Sequence, residues 1–207
     1  MARILKDYPL VALKLQDLDG KIDFEQVFGR HAPVHIEIGS GKGSFLVNQA
    51  KLLPQLNFLG IERARKYYRY AVDRIGRWSL TNVRLIRTDA AQFITNLVPD
   101  SSIECFHIYF PDPWPKKRHH KRRLLTPENL EQLLRCLTLK GTIRVATDHD
   151  DYFEYIEKLL TTQNNSLKKI KFLPSAASDT GEWVGTSFER KYRKENKPIF
   201  TIAVRKI

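Results

Sequence analysis

Short apolar runs alternate with segments of helical period along most of this chain. Val34-His35-Ile36-Glu37-Ile38 is the first compact strand signal, and it runs straight into Gly39-Ser40-Gly41-Lys42-Gly43. Apolar positions Phe45, Leu46, Ala50 and Leu53 predict a helix over 44–53, closed by Pro54. Further strands are predicted at 58–61, 83–87, 103–110 and 142–147, with helices at 64–78, 91–97, 126–137 and 151–160. Thr126 reads as a helix cap with Pro127 at the first helical position, and Lys140-Gly141 as a turn. Phe172-Leu173 and 199–204 read as two closing strands around a polar loop. This order predicts an α/β domain over 31–207: a seven-stranded, mainly parallel sheet with helices on both faces. Residues 1–30 carry mixed signals and read as an N-terminal arm packed on that domain.

Composition narrows the class. With 207 residues, 42% hydrophobic and 28% charged, the chain can bury a real core, which argues against wholesale disorder. Cys105 and Cys136 form neither a disulfide framework nor a metal spacing, and read as small core residues in a reducing compartment. No metal is expected. No apolar run approaches a membrane span, and MARILKDYPL lacks the apolar core of a signal peptide. A cytoplasmic protein is expected; nothing decides between monomer and homodimer.

Each predicted parallel strand ends in an acid: Glu37, Glu62, Asp89, Asp112 and Asp148. Ligands of such sheets bind beyond the carboxyl ends of the strands, near the switch point. Glycines at 39, 41 and 43 allow a tight turn and a close ligand approach. The Walker pattern fails because Lys42 is misplaced, and Ser44 weakens a dinucleotide pattern. The third pattern has Glu37 ahead of the glycines, which would repel a pyrophosphate and welcome the ammonium of a methionine moiety. Glu62, 23 residues after Gly39, is placed to accept from ribose hydroxyls. Asp89, followed by Ala90, is placed to reach an adenine amino group.

Phe110-Pro111-Asp112-Pro113-Trp114-Pro115 holds an acid between two prolines at a strand end, where proline limits backbone freedom. Six of the next eight residues, Lys116 to Arg123, are Lys or Arg, so half of the chain's net +12 sits in one segment. A concentrated excess points to a polyanion, and the adjacent aromatic suits a nucleobase carried on a phosphate backbone. Arg118, His119, His120, Lys121, Arg122 and Arg123 are the candidate RNA-facing residues. Arg63, Arg65, Lys66, Arg69 and Arg74, with Arg190, Lys191, Arg193 and Lys194, could extend that surface; the first group is the weaker, because helix faces are commonly basic for solubility.

These motifs, with Gly60-Ile61-Glu62, Thr88-Asp89-Ala90, Thr147-Asp148 and Thr186-Ser187-Phe188-Glu189-Arg190, resemble the bacterial tRNA (guanine-N7)-methyltransferases. Those belong to the class I, Rossmann-like methyltransferases that use S-adenosylmethionine. The resemblance spans about residue 34 to the C-terminus, and the Pro-Asp-Pro-Trp-Pro-Lys block is its most specific part. It implies a cofactor site at Glu37, Glu62, Asp89 and Asp112, a catalytic role for Asp112, and tRNA contacts by Lys116, Asp148, Thr186, Ser187, Phe188 and Glu189. Ser187 stands where lysine or a similar polar residue is expected. Three rival readings stay open. An amino-directed nucleic-acid methyltransferase is suggested by Asp112-Pro113-Trp114, one residue short of its usual corner. An NAD-dependent oxidoreductase would leave the basic run without a role. A noncatalytic RNA-binding module would leave the line of acids without one.

Overall fold

Val34–Ile38 forms β2, the strand on which the sheet turns. It pairs in parallel with β3 (Asn57–Ile61) on one side and β5 (Ile103–Tyr109) on the other, so Glu37 lies opposite both Gly60 and His107. This computed structural model describes residues 4–162, 165–176, 179 and 181–207. The remaining strands are β1 (Ala12–Leu13), β4 (Val83–Ile86), β6 (Leu137–Thr147), β7 (Leu167–Ile170) and β8 (Phe200–Lys206). They complete one eight-stranded sheet of order β1-β4-β3-β2-β5-β6-β8-β7, antiparallel only where β8 meets β6 and β7. Chain order reverses at β2, so the switch point opens between β2 and β5, and ligands of such sheets lie beyond that point.

Helices cover both faces because alternate strand residues are apolar on both sides. Those used below are α1 (Phe24–Phe28), α2 (Ser44–Leu52), α3 (Arg65–Arg77), α4 (Ala90–Leu97), α5 (Pro127–Cys136), α6 (Asp150–Thr161) and α7 (Ser187–Lys194). One apolar cluster packs α4, α5 and α6 on Ile36, Phe106 and Ile143; the other packs α2 and α3 on Phe58, Val83 and Leu85. Gly60 makes the second layer tight: a Cβ there would lie 2.5 Å from side-chain atoms of Leu46, Leu85 and Ser40.

Several boundaries differ from expectation. The additional strand is β1, two residues of the N-terminal segment paired to β4. That segment also straps α3, with the Lys6 amide donating to Asp73 at 3.2 Å and Tyr8 lying on Gly76. Lys140-Gly141 does not end a strand; β6 continues through it, with Lys140 at φ 67° and a register shift opposite Ile103–Cys105. Phe172-Leu173 is irregular, and the closing strand lies earlier at β7, where exposed Lys168 and Lys169 protect a sheet edge and dilute the apolar pattern. Thr126 does cap α5, its hydroxyl accepting the Asn129 amide at 3.3 Å. Both cysteines are free and buried. Among the described residues no helix is long and apolar enough to cross a membrane.

Candidate active site

The turn after β2 is built from left-handed residues, with φ of 79°, 54° and 70° at Gly39, Gly41 and Gly43. It is tied to the end of β3: the Gly39 and Ser40 amides donate to the Ile61 carbonyl at 2.9 and 3.1 Å. Glu62 completes the tie, Oε2 accepting from the Gly41 amide at 2.8 Å and Oε1 from the Ala64 amide at 2.7 Å. Glu37 is different. It is only 4% exposed, and its buried Oε2 has no hydrogen-bond partner. Burial first, and the nearby Glu62 second, raise its carboxyl well above the usual carboxylate range, against an opposing hydrogen bond from Ser40. An orphaned acid beside a glycine turn is a ready acceptor for a ligand's cation. The orphaned acceptor therefore fits a ligand's ammonium group.

Asp89 ends β4 as the cap of α4, accepting the Gln92 amide at 3.2 Å and facing Arg63 at 3.5 Å. Ala90 opens that helix. Asp148 follows β6, half-buried, immediately before α6 and its cap His149. The five strand-end acids thus occupy one edge of the sheet, on both sides of the switch point.

Beyond β5, exposed Asp112 is bracketed by two L-residues in left-handed conformation, Phe110 at φ 54° and Trp114 at φ 44°. Such residues cost about 1–3 kcal/mol each and persist only where surrounding contacts hold them. Here those contacts are visible. The Phe110 amide donates to Ala146 of β6 at 2.7 Å, and Trp114 packs under His119 and Arg122, edge-on at 5.9 Å and stacked at 5.1 Å. Trp114 therefore anchors the 3-10 helix over 117–122 that displays the basic run. Lys116, Arg118, Lys121 and Arg122 are exposed and His119 and His120 half-buried. Arg123, expected among the RNA-facing cations, is instead 6% exposed; its Nε donates to Pro113 at 2.8 Å and its guanidinium stacks on Tyr152. It locks the Asp112 loop to α6.

The segment before α7 closes over this edge. Thr186 caps α7 by accepting the Glu189 amide at 3.1 Å. Glu189, expected to touch substrate, is 0% exposed, and its carboxylate accepts the Trp183, Val184 and Gly185 amides at 2.6–2.9 Å. Both oxygens are consumed inside the protein, so Glu189 shapes the loop. Ser187 meets Ser44 of α2 at 3.0 Å, which joins this segment to the glycine turn. Phe188 is exposed and faces Phe110, and Tyr192, one turn on, lies 5.3 Å from Phe110. Burial, then Asp148, and also Asp112 raise the Tyr192 phenol, so that ring stands near both acids. Tyr192 escaped the sequence reading, although Phe188 and Tyr192 share a helix face at i, i+4 spacing.

Beneath α2 runs a buried polar chain that sequence also missed. His35 Nδ1 meets His107 Nε2 at 3.1 Å, His107 Nδ1 meets the Tyr109 hydroxyl at 2.7 Å, and Arg144 reaches that hydroxyl at 3.4 Å. Arg144 also donates to the Leu173 carbonyl, linking the chain to the loop before α7. Burial lowers His35 to about 4, and burial, His35 and Arg144 hold His107 well below its ordinary value. Cys105 lies close enough to complete a three-ligand cluster with the two histidines. Three of their ring nitrogens meet one another and Tyr109, and His35 Nε2 faces Glu104 at 3.5 Å, so the group is a polar brace across β2, β5 and β6.

A parallel sheet with this strand order, a glycine turn after its central strand and acids along one edge defines a class I methyltransferase fold. Solved structures agree: a SAM-dependent methyltransferase from Aquifex aeolicus aligns at TM-score 0.58 and 12% identity, over 88% of this chain and 87% of that one. An aminoglycoside resistance methyltransferase aligns at 0.60 and 17% identity, over 88% and 91%. Residues 31–202 match the family described as "Putative methyltransferase". The tRNA (guanine-N(7)-)-methyltransferase of Rhodopirellula baltica is 34% identical over 92% of this chain and 72% of its own length. That of Streptococcus gordonii is 35% identical over 91% and 88%. The chain belongs to the tRNA (guanine-N7)-methyltransferase family.

Proposed function

We propose that this protein transfers a methyl group from S-adenosylmethionine to N7 of a guanine in tRNA. The observation that carries the reading is the pair of acids flanking the switch point, buried Glu37 on β2 and exposed Asp112 beyond β5. Glu37 has an acceptor oxygen left for an ammonium group, and Glu62 keeps lone pairs for ribose hydroxyls after its two backbone contacts. Asp89 and Ala90 border the adenine end. The bound cofactor supplies an electrophilic methyl group on a sulfonium.

Guanine N7 has a lone pair in the neutral base, so no general base is required. The protein's task is to align N7 and exclude water, a contribution on the order of 7–11 kcal/mol in well-oriented systems. Asp112 accepts from the N1–H and amino donors of guanine, a pattern adenine cannot offer. The same carboxylate favours the positive charge that guanine gains as the bond forms. Phe110, Phe188 and Tyr192 give the base an aromatic wall beside Asp112. Lys116, Arg118, His119, His120, Lys121 and Arg122 grip phosphates, while Asp148, Thr186 and Ser187 border the bound nucleotide.

The test is mass spectrometry of tRNA nucleosides after incubation with the protein and S-adenosylmethionine. 7-Methylguanosine is expected. Methylated adenine or cytosine would establish the amino-directed alternative, and bound cofactor without any methylated product would leave an RNA-binding module.

A further inference from the structure

Among the cations outside the basic run, Arg63 faces Asp89 and Arg74 donates to Ser44, while Arg65, Lys66 and Arg69 differ from Arg190, Lys191 and Arg193 in their partners. On α7, Arg190 is held by Glu182 at 2.8 Å and by Asp179, Arg193 by Glu189 at 3.1 Å, and Lys191 by Glu195 at 3.8 Å. These charges are spent within the fold. On α3 the reverse holds. Arg65, Lys66 and Arg69 are exposed, and among the described residues no acid lies within ion-pairing distance of them. The stretch 63–72 contains no acid. The first acid on the helix, Asp73, is buried and bound by Arg77 at 3.1 Å and by the Lys6 amide. Lys42 of the glycine turn joins the group, its ammonium 5.6 Å from the Tyr70 ring, and Tyr67 stands 41% exposed between the cations.

Arg65 and Arg69 are neighbours one turn apart, and like charges at that spacing destabilise a helix. A helix that keeps them, with no acid interleaved, is relieved by a polyanion. Position identifies which one. α3 starts three residues after Glu62, beside the same edge, and β3 lies on the opposite side of β2 from β5. The α3 cations and the 116–122 segment therefore form two positive lips, with Glu37, Glu62 and Asp112 between them.

We propose that Lys42, Arg65, Lys66 and Arg69 form a second RNA-backbone contact, which holds tRNA from the β3 side while the basic run holds it from the β5 side. The proposal rests on the tRNA reading above. Opposite signs on lips and floor keep phosphates out of the acidic crevice and leave only a base able to enter it. Tyr67 offers its ring to an unstacked neighbouring base, the usual aromatic role in single-stranded RNA recognition.

The test compares two triple variants of equal charge change for tRNA binding across a salt series. Arg65→Gln/Lys66→Gln/Arg69→Gln removes the lip; Lys140→Asn/Lys158→Gln/Lys168→Gln removes exposed charges near the amino ends of β6 and β7. The lip triple is expected to lower the magnitude of the log–log salt slope by about two, using the single-strand coefficient, with S-adenosylmethionine affinity in calorimetry unchanged. The control triple should keep the parent slope. An unchanged slope in the lip triple, or an equal fall in both, would overturn the proposal. Should the lip triple lose cofactor binding, the single Lys66→Glu reversal replaces it, with about tenfold weaker tRNA binding at low salt expected and parent-like binding overturning the proposal. A parent protein that fails to bind tRNA would overturn the underlying reading itself.

Discussion

Glu62 Oε2 accepts the Gly41 amide at 2.8 Å, so the acid that ends β3 holds up the turn that follows β2. One carboxylate thus shapes the glycine loop and presents lone pairs to whatever lies in it. Glu62→Ala is expected to weaken S-adenosylmethionine binding by about 1.5–3 kcal/mol, the scale of a charged hydrogen bond. Glu62→Gln should recover little, because one of its termini is an amide donor that would face a backbone donor. Calorimetry measures the affinity, and faster amide exchange at Gly41–Gly43 in both variants would show the loop loosening. Parent-like affinity in Glu62→Ala would remove this residue from the site.

Cofactor binding against Glu37 is expected to be a proton-linked event. Its carboxyl is raised by burial and by Glu62, so the unliganded protein holds a proton there to higher pH than an ordinary carboxyl does. A ligand ammonium against the orphaned oxygen favours the ionised form, and binding then releases that proton. Affinity should rise with pH through the raised Glu37 pKa and level off above it. Calorimetry in buffers of different ionisation enthalpy should report net release, lost in Glu37→Gln. Net uptake in the parent would contradict this assignment.

Asp112→Ala is expected to leave tRNA binding intact or slightly tighter, since an acid opposes the neighbouring cations, while turnover falls about 10²–10³-fold. Asp112→Asn keeps one oxygen acceptor and loses the charge. A large loss there would assign the effect to charge. Single-turnover assays at saturating cofactor and tRNA separate the two contributions, and parent-like rates in either variant would take Asp112 out of the chemistry.

The His35–His107 brace predicts an acid-sensitive fold. His35 falls from 6.5 to about 4, so the unfolded chain binds more protons between those values. Stability is then full above pH ~6.5 and lost as pH falls through about 4, on the order of 3 kcal/mol for His35. His107 acts in the same direction. The denaturant midpoint should fall as pH drops from about 6.5 to about 4, and His35→Gln should flatten that dependence.

Tyr8 and Gly76 should couple. A Cβ on Gly76 would lie 2.0 Å from Tyr8 Cγ, so Gly76→Ala dislodges the N-terminal strap from α3 although alanine favours a helix by up to about 1 kcal/mol. Alone it should destabilise. In a Tyr8→Ala background it should stabilise, a sign reversal that a double-mutant cycle would read directly.

Elements with strong period, such as β2 through β5 and α3, were legible from residue order because each buries one apolar face. The strand-end acids were legible for the same reason, since an apolar run that stops at an acid marks the sheet's edge. What was not legible depends on partners distant in sequence. Arg123 and Glu189 carry charges that read as surface groups, yet Pro113, Tyr152 and the 183–185 amides take them inside. His107 and Tyr109 alternate on β5 like ordinary core positions, and only the neighbouring strands make them a chain. β7 was missed because two lysines occupy its middle. Which basic residues of α3 and α7 have acid partners was also out of reach, because ion pairing is a property of geometry.

The left-handed pair Phe110 and Trp114 has a bearing on how this enzyme can be improved. Glycine at either position would relieve about 1–3 kcal/mol of backbone strain, but it would also delete the ring whose contacts hold the loop, a loss of similar or larger size. The same change would widen the range of directions open to Asp112 and remove an aromatic contact. Thermal robustness and methyl-transfer rate should therefore fall together at these two positions, so tolerance is better sought elsewhere in the fold.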